Sequence, residues 1–364
     1  MNLATNLLNT LVKDNPFNPG SAGLVIRLGD WSATIHSHSE ALIAELKDYF
    51  VPVLGDVHPL NHIDIHALQT EPPQALYDLP WQDWQREPGK SGRKEAIYDF
   101  IDDTQQRLIL KVKTGLIFWQ NAQTPYAFGN LEAHPNQIIN FVLNQYMNHL
   151  LNQAWLIGHC SGLQLQDRGI AIAGVSGGGK STLMLKLLDQ AQGFISNDRL
   201  FFKQQNQQII MRGLPKQPRI NPGTILNNPK LHGLIHDHQP YLAMPDNALR
   251  QLEEKYDAPV HQLYDGVDYQ VEAPLNQIYL LNWQLDSDQA TQVTPIKLAE
   301  RTDLLRGLMK TPGAFYQDAQ QAFLANGNQP DPQAYLSLLQ NVRCFEITGK
   351  LNFEAAAAII LSMR

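Results

Sequence analysis

The stretch "IAIAGVSGGGKST", residues 170–182, restricts the fold of this 364-residue chain more than any other. From Gly174 it has the form G-x-x-x-x-G-K-[ST], the pattern of a loop that wraps a phosphate. A hydrophobic run precedes it, and "KSTLMLKLLDQA" follows with the composition of a helix. That strand–loop–helix setting is what gives the pattern physical meaning. Gly174, Gly177, Gly178 and Gly179 let backbone N–H groups turn inward without Cβ collisions. The helix opening at Lys180 brings a partial positive charge to the same point. Lys180 adds a full charge for the outer phosphates and Ser181 a hydroxyl for Mg²⁺, with Ser176 and Thr182 beside them. The expected ligands are ATP and Mg²⁺. A glycine-rich turn that binds nothing is the plainer reading of the same residues.

Composition narrows the partners. With 43% hydrophobic and 17% charged residues, the chain can bury a sizeable core. Its net charge of −7 argues against a nucleic-acid partner, which would call for a basic face. Cys160 and Cys344 are the two cysteines, and neither sits in a C-x-x-C pair. No apolar run approaches the ~20 residues of a membrane span. The first residues have no basic flank followed by a long apolar stretch, so a signal peptide is not expected. A reduced, cytoplasmic protein with no membrane partner is the expectation.

Along the chain, "GLVIRLGDWSATIHS" alternates as strands do, and "SEALIAELKDYF" has helical spacing behind an N-cap at Ser39. "AIYDFIDDTQQRLILKVKTGLIFWQ" predicts strands separated by a turn at Asp102–Gln105 and broken at Gly115. "HPNQIINFVLNQYMNHLLNQA" predicts a long helix. "GLQLQDRGIAIAG" predicts two strands around a turn at Asp167–Gly169. "GFISNDRLFF" and "LNQIYLLNWQL" read as single strands, with a loop-rich stretch, "RGLPKQPRINPGTILNNPKLHG", between them. "YLSLLQNVRCFEITG" predicts a helix leading into a strand, and "NFEAAAAIILSM" a final helix capped by Asn352. The expected organisation is an α+β region over 1–150 packed on the core, then an α/β P-loop domain over 151–364 with a central mixed sheet.

Beyond the loop, Asp198 stands at the end of an apolar strand, eighteen positions after Lys180, where an acid would reach the loop's metal. Asn197 precedes it. His159 lies fifteen residues before Gly174. The plainer alternatives are a strand-capping histidine and an Asp198–Arg199 surface ion pair. Arg212 and Arg219 could fork onto phosphate oxygens or simply be solvated; Lys310 is a weaker candidate of the same kind. His236 and His238 form the best pair among several histidine clusters, yet no cysteine or carboxylate completes a metal set. Trp81, Trp84, Phe118 and Trp119 read as packing. Cys160 and His159 are neighbours on a strand and point apart, which argues against a nucleophilic pair.

The spacing from His159 to the loop and from the loop to "SNDR" resembles that of the HPr kinase/phosphorylase family. Those enzymes carry a histidine, a strand–turn–strand, the glycine loop and then a strand ending in Asp-Asp. "RGLPKQPRINPG", "EEKYDAPVHQLYD", "YLLNWQL" and "LRGLMKTPGAFY" are similar to the branch called kinase B. The strong part covers residues 155–225. The resemblance implies the P-loop kinase core shared with phosphoenolpyruvate carboxykinase. It also implies transfer of the ATP γ-phosphoryl group to a hydroxyl on a protein or small molecule, and a homo-oligomer. His159, Asp198 and the residue at 197 would be catalytic, with Ser181 and Asp198 on the metal. This chain departs from the family at Asn197, where the first acid stands in its relatives, and an amide takes no proton at neutral pH. Either Asp198 or His159 takes the base role, or positioning alone suffices. The alternative is a nucleotide-binding regulatory or scaffold protein of the same fold that transfers nothing. A P-loop ATPase coupled to a partner is a third reading; it lacks a visible sensor motif or arginine-finger repeat.

Overall fold

Strand pairing begins with the first alternating segment. "GLVIRLGDWSATIHS" forms an antiparallel hairpin, Gly23–Leu28 against Trp31–Ser37, turning at Gly29 with φ of 59°. The computed structural model describes residues 3–17, 23–86, 92–100, 105–121, 123–245, 248–249, 252 and 254–363. These fall into two compact units. The first comprises Met1–Ala154 with Thr311–Gln329, and the second Trp155–Lys310 with Pro330–Arg364.

In the first unit the hairpin opens an eight-stranded mixed sheet. Trp31–Ser37 pairs in parallel with His62–Gln69, and that strand in parallel with Tyr126–Gly129. From there Ile117–Gln120, Arg107–Lys111, Glu95–Asp99 and the short Gln82–Asp83 continue antiparallel. The chain leaves Lys111 and re-enters at Ile117 through Gly115, whose φ of 71° suits glycine. Of the turn expected at Asp102–Gln105, residues 102–104 lie outside the described residues. Ser39 caps the helix Glu40–Tyr49, its side chain accepting from the Leu42 N–H. The helix Pro135–Asn152 buries Ile138, Phe141, Val142 and Tyr146 at spacings of three and four, one stripe of a helical surface. The apolar rhythm at the start of the chain is a helix, Leu3–Asp14, whose Ala4 and Leu8 pack against Leu68, Ile117 and Phe128. Trp119 and Trp81 join that cluster and Phe118 packs against Phe141 with the rings tilted at 53°, so these aromatics are packing residues.

The second unit is built on a seven-stranded mixed sheet with Arg168–Gly174 at its middle. This strand pairs antiparallel with Cys160–Leu165 and in parallel with Gln277–Leu281, which pairs in parallel with Arg343–Thr348. "IAIAG" is buried on both faces and alternates large with small. Ile170 and Ile172 meet Leu183, Leu187 and Ile360 on one side. Ala171 and Ala173 meet Ile278, Leu305 and Leu308 on the other. The small residues let the short helix Thr302–Gly307 approach closely; a Cβ on Gly307 would stand 2.8 Å from the Gly174 Cα. Each fully buried aliphatic side chain contributes roughly 1.5–3 kcal/mol, so this double-sided strand is a rigid base for the loop that follows it. Asn352 caps the final helix, Phe353–Ser362, through the Ala355 N–H.

"GFISNDRLFF" is not one strand. Gly193–Ser196 belongs to the seven-stranded sheet, and Leu200–Gln205 to a separate four-stranded antiparallel sheet. The break falls on Asn197–Arg199, where the Asn197 carbonyl and the Asp198 and Arg199 side chains find partners off the ladder. The stretch from Arg212 is also more ordered than its proline and glycine content predicts. It holds a two-residue strand, Arg219–Ile220, a helical turn, Pro222–Leu226, capped by Asn221, and a 3₁₀ helix, Pro229–Leu234. Among the described residues no helix is long and apolar enough to cross a membrane.

Candidate functional site

The strand Arg168–Gly174 delivers its glycine-rich loop to the helix Lys180–Leu187, as the motif requires. Gly177 and Gly179 have φ of 78° and 90°, backbone that side chains with a Cβ rarely adopt. A Cβ on Gly179 would lie 2.6 Å from the Phe353 ring. Phe353 stands edge-on to Trp283, and the Trp283 indole N–H donates to the Gly178 carbonyl at 3.0 Å. These two aromatics brace the loop from behind. Sequence reasoning missed both, because they come from distant segments with no local pattern.

Lys180 is buried and turned into the loop. Its Nζ donates to the carbonyls of Gly174 at 2.8 Å and Val175 at 3.3 Å. Thr182 shares a 2.9 Å hydrogen bond with Thr224, which in turn donates to Asn221. The Ser181 hydroxyl makes no hydrogen bond among the described residues. Ser176 and Gly177 line the mouth of the cleft, while Gly174 and Gly178 contribute backbone around the loop.

The break after Gly193–Ser196 brings in the second group. The Ser161 hydroxyl donates to the Asn197 carbonyl at 2.7 Å, and that of Ser196 to Leu214 at 3.1 Å, fixing the turn. The Asn197 side chain is buried and its Oδ1 has no hydrogen-bond partner. Next to it, Asp198 Oδ1 lies 3.3 Å from His159 Nε2 and 2.8 Å from Arg199 Nη1. His159 is anchored by its own backbone N–H on Leu308 O at 2.8 Å. Burial pushes the Asp198 carboxyl up, but the Arg199 guanidinium, the His159 hydrogen bond and Lys216 outweigh it and hold it well below the usual carboxylate range. Burial lowers the His159 pKa; the Asp198 hydrogen bond opposes this, and Lys180 and Arg199 add to it. The pair is thus an ionised carboxylate beside an imidazole that favours its neutral form.

These groups share one cleft of about 300 Å³, bounded by the loop on one side and Asn197, Asp198 and His159 on the other. Its far wall carries Lys216, Arg219 and Lys255. Arg219 pairs with Asp257 at 3.1 Å. A chain of net charge −7 therefore gathers four cations, counting Lys180, around one carboxylate. Such a field attracts polyphosphate. Lys216 and Lys255 were missed in the sequence; "RGLPKQPRINPG" offered Lys216 only as one more loop charge.

The remaining candidates lie elsewhere. Arg212 is not among the cleft residues; its guanidinium pairs with Glu272 at 2.9 Å and lies 4.8 Å from the Trp155 ring centroid. Lys310 is not among the cleft residues, and burial lowers its pKa to about 8. The Cys160 thiol is fully buried and pushed far up, so it is no nucleophile. His238 Nε2 donates to the His232 carbonyl at 3.0 Å and its ring lies edge-on to the His232 ring, while His236 takes no part in that contact. No group of three or more His, Cys, Asp and Glu suited to a metal occurs among the described residues.

No family model matches the chain. No curated protein matches it either. Among solved structures it is similar to the HPr(Ser) kinase/phosphatase from Coxiella burnetii, at 14% sequence identity over 57% of this chain and 86% of that one, with a TM-score of 0.28.

Proposed function

We propose that the cleft binds ATP with Mg²⁺ and that the protein transfers the γ-phosphoryl group to a hydroxyl of a protein or small-molecule acceptor. The observation that carries this reading is convergence. The loop with Lys180 and Ser181 faces the Asn197–Asp198–His159 group across one cleft with a cationic wall.

In this reading the loop N–H groups and Lys180 receive the phosphates, Lys180 exchanging its loop carbonyls for phosphate oxygens. Ser181 and Asp198 are hard oxygen donors of the kind Mg²⁺ takes, with phosphates and water completing its shell. The unpartnered Oδ1 of Asn197 is a further oxygen at the same place. When bound, the ion neutralises charge on the transferring phosphate. Asp198, held ionised, is a poor proton acceptor at neutral pH. His159 is the better base. With Nε2–H donated to Asp198, its Nδ1 is the lone pair that takes the acceptor's hydroxyl proton. The acceptor oxygen then bonds to Pγ as the Pγ–O bond to the ADP leaving group breaks. Lys216, Arg219 and Lys255 hold the charge that accumulates.

The test is incubation with γ-labelled ATP and Mg²⁺ in lysate, following label into protein and metabolite fractions. Label transferred by the wild type and not by Lys180→Ala supports the reading. ATP bound with no label transferred to any fraction favours the second reading, a nucleotide-binding scaffold. The observation behind that alternative is the amide at Asn197, which cannot accept a proton.

A further inference from the structure

The first unit contains a second cleft, of about 300 Å³, whose walls are made largely of carboxamides. Asn148 and Asn152 come from the helix Pro135–Asn152, Asn61 from the turn before the strand His62–Gln69, and Gln317 from the segment Thr311–Gln329. Their orientations are fixed by their own amino groups. Asn61 Nδ2 donates to the Asp30 carbonyl at 2.8 Å, Asn148 Nδ2 to Phe315 at 2.9 Å and Asn152 Nδ2 to Gln317 at 3.2 Å. Gln317 Nε2 donates twice, to Gln105 and Gln321, at 2.8 and 2.9 Å.

Both N–H groups of Gln317 are thus engaged, whereas Asn61, Asn148 and Asn152 each keep one amide N–H beside the side-chain oxygen. None of the four side-chain oxygens accepts a hydrogen bond among the described residues. The case of Gln317 is the most telling. It is 3% exposed, and its Oε1 is a buried acceptor without a partner. A buried carbonyl left dry costs about 1–3 kcal/mol, and the wall of a cleft is where a ligand would satisfy it. Behind them Gln120 and Gln145 form a reciprocal amide pair at 3.0 and 2.8 Å, which makes a rigid polar floor. Trp31 adds an aromatic face.

The charge inventory selects the occupant. The cleft residues include no lysine or arginine and a single carboxylate, Asp318, whose Oδ1 already accepts from the N–H groups of Gln320 and Ala322. An anion finds only the imidazoles of His62 and His149, which lie 3.7 Å from Asp64 and 3.6 Å from Asp30, and an organic cation finds one carboxylate already engaged. Neutral carboxamides, which both accept and donate, suit several hydroxyls held on one small frame. We infer that this cleft binds a neutral polyhydroxylated molecule the size of one sugar ring, its hydroxyls donating to the oxygens of Asn61, Asn148, Asn152 and Gln317. The volume is at the small end of ligand pockets, which fits a single ring rather than an oligosaccharide.

The test is calorimetric titration of the full-length protein with D-glucose, D-galactose, D-ribose, myo-inositol and D-mannitol, each to millimolar concentration. Spermidine and inorganic phosphate serve as charged comparators. Saturable binding of at least one polyol is expected, weakened about tenfold or more in Asn148→Ala and Asn152→Ala. Asn148 is half-buried and Asn152 exposed, so these variants are expected to melt near the wild type even where Gln317→Met does not fold. Heat from none of the five, binding of spermidine or phosphate alone, or polyol binding unchanged in both folded variants overturns the inference.

Discussion

The His159 imidazole lies 3.3 Å from the Asp198 carboxylate, so the charge on one sets the protonation of the other. Burial depresses the histidine, and the hydrogen bond to Asp198 is the chief influence holding it up. In Asp198→Asn that influence is removed, and the His159 pKa is expected to fall further. Proton NMR titration of the imidazole checks it; an unchanged or raised midpoint contradicts the pairing. The same variant should lose most of its response to Mg²⁺ in ATP binding, with a lowered melting temperature that reflects the lost pairing with Arg199 and His159.

Lys180→Ala should remain folded and lose ATP affinity by at least about a hundredfold, as expected for deleting a charge-assisted phosphate contact worth ~3 kcal/mol. The stability cost should be only about 1 kcal/mol, since the lysine's loop hydrogen bonds are few. Calorimetry with ATP and a urea melt separate the two quantities. Equal ATP affinity in both proteins would remove the nucleotide assignment.

Asn197→Asp creates a pair of adjacent acids. The new carboxyl would be buried beside an ionised Asp198, and both burial and like charge raise its pKa. Phosphoryl transfer is expected to be retained or increased, with a pH–rate profile that gains an ionisation absent from the wild type. A profile identical to that of the wild type would mean that position 197 does not face the reacting groups.

Two loop glycines differ in their surroundings, and the variants should differ likewise. Gly177→Ala meets open space and carries only the backbone strain of a φ of 78°, about 1 kcal/mol. Gly179→Ala adds a collision with the Phe353 ring and should cost roughly 2–3 kcal/mol. Urea denaturation gives the order; equal losses would mean Phe353 yields without resistance.

In the first unit His66 is lowered to about 4, by burial first and by neighbouring His36 second, with Asp64 opposing. An unfolded histidine binds its proton near pH 6.5, whereas folded His66 does not until about 4. Between those values the unfolded state holds more protons, so stability is lost as pH falls through that window and is complete above it. His66→Phe should flatten that decline in denaturation midpoints measured from pH 7 to pH 4.5.

What could be read in the sequence was what is local and periodic. The Ser39 and Asn352 caps, the helix Pro135–Asn152 and the strand "IAIAG" announce themselves because side-chain spacing and capping chemistry act over a few residues. The split of "GFISNDRLFF" between two sheets was not legible. Ser161 and Ser196 fix that turn through partners far along the chain. The cleft's far wall was hidden for the same reason: Lys255 joins Lys216 only because Arg219–Ile220 pairs with Tyr256–Asp257. Trp283 and Phe353 brace the loop through tertiary packing, which leaves no trace in spacing.

The two-segment make-up of the first unit bears on the order of synthesis. Arg107, 3% exposed, is held by Asp99 on its own sheet and by the carbonyls of Ala314 and Leu324, with the Phe323 ring 4.5 Å from its guanidinium carbon. A nascent chain that has emerged only as far as Ala154 lacks three of those four partners. Its guanidinium must stay wet until nearly the whole second unit has left the ribosome. The N-terminal unit is the first to appear and among the last to be finished.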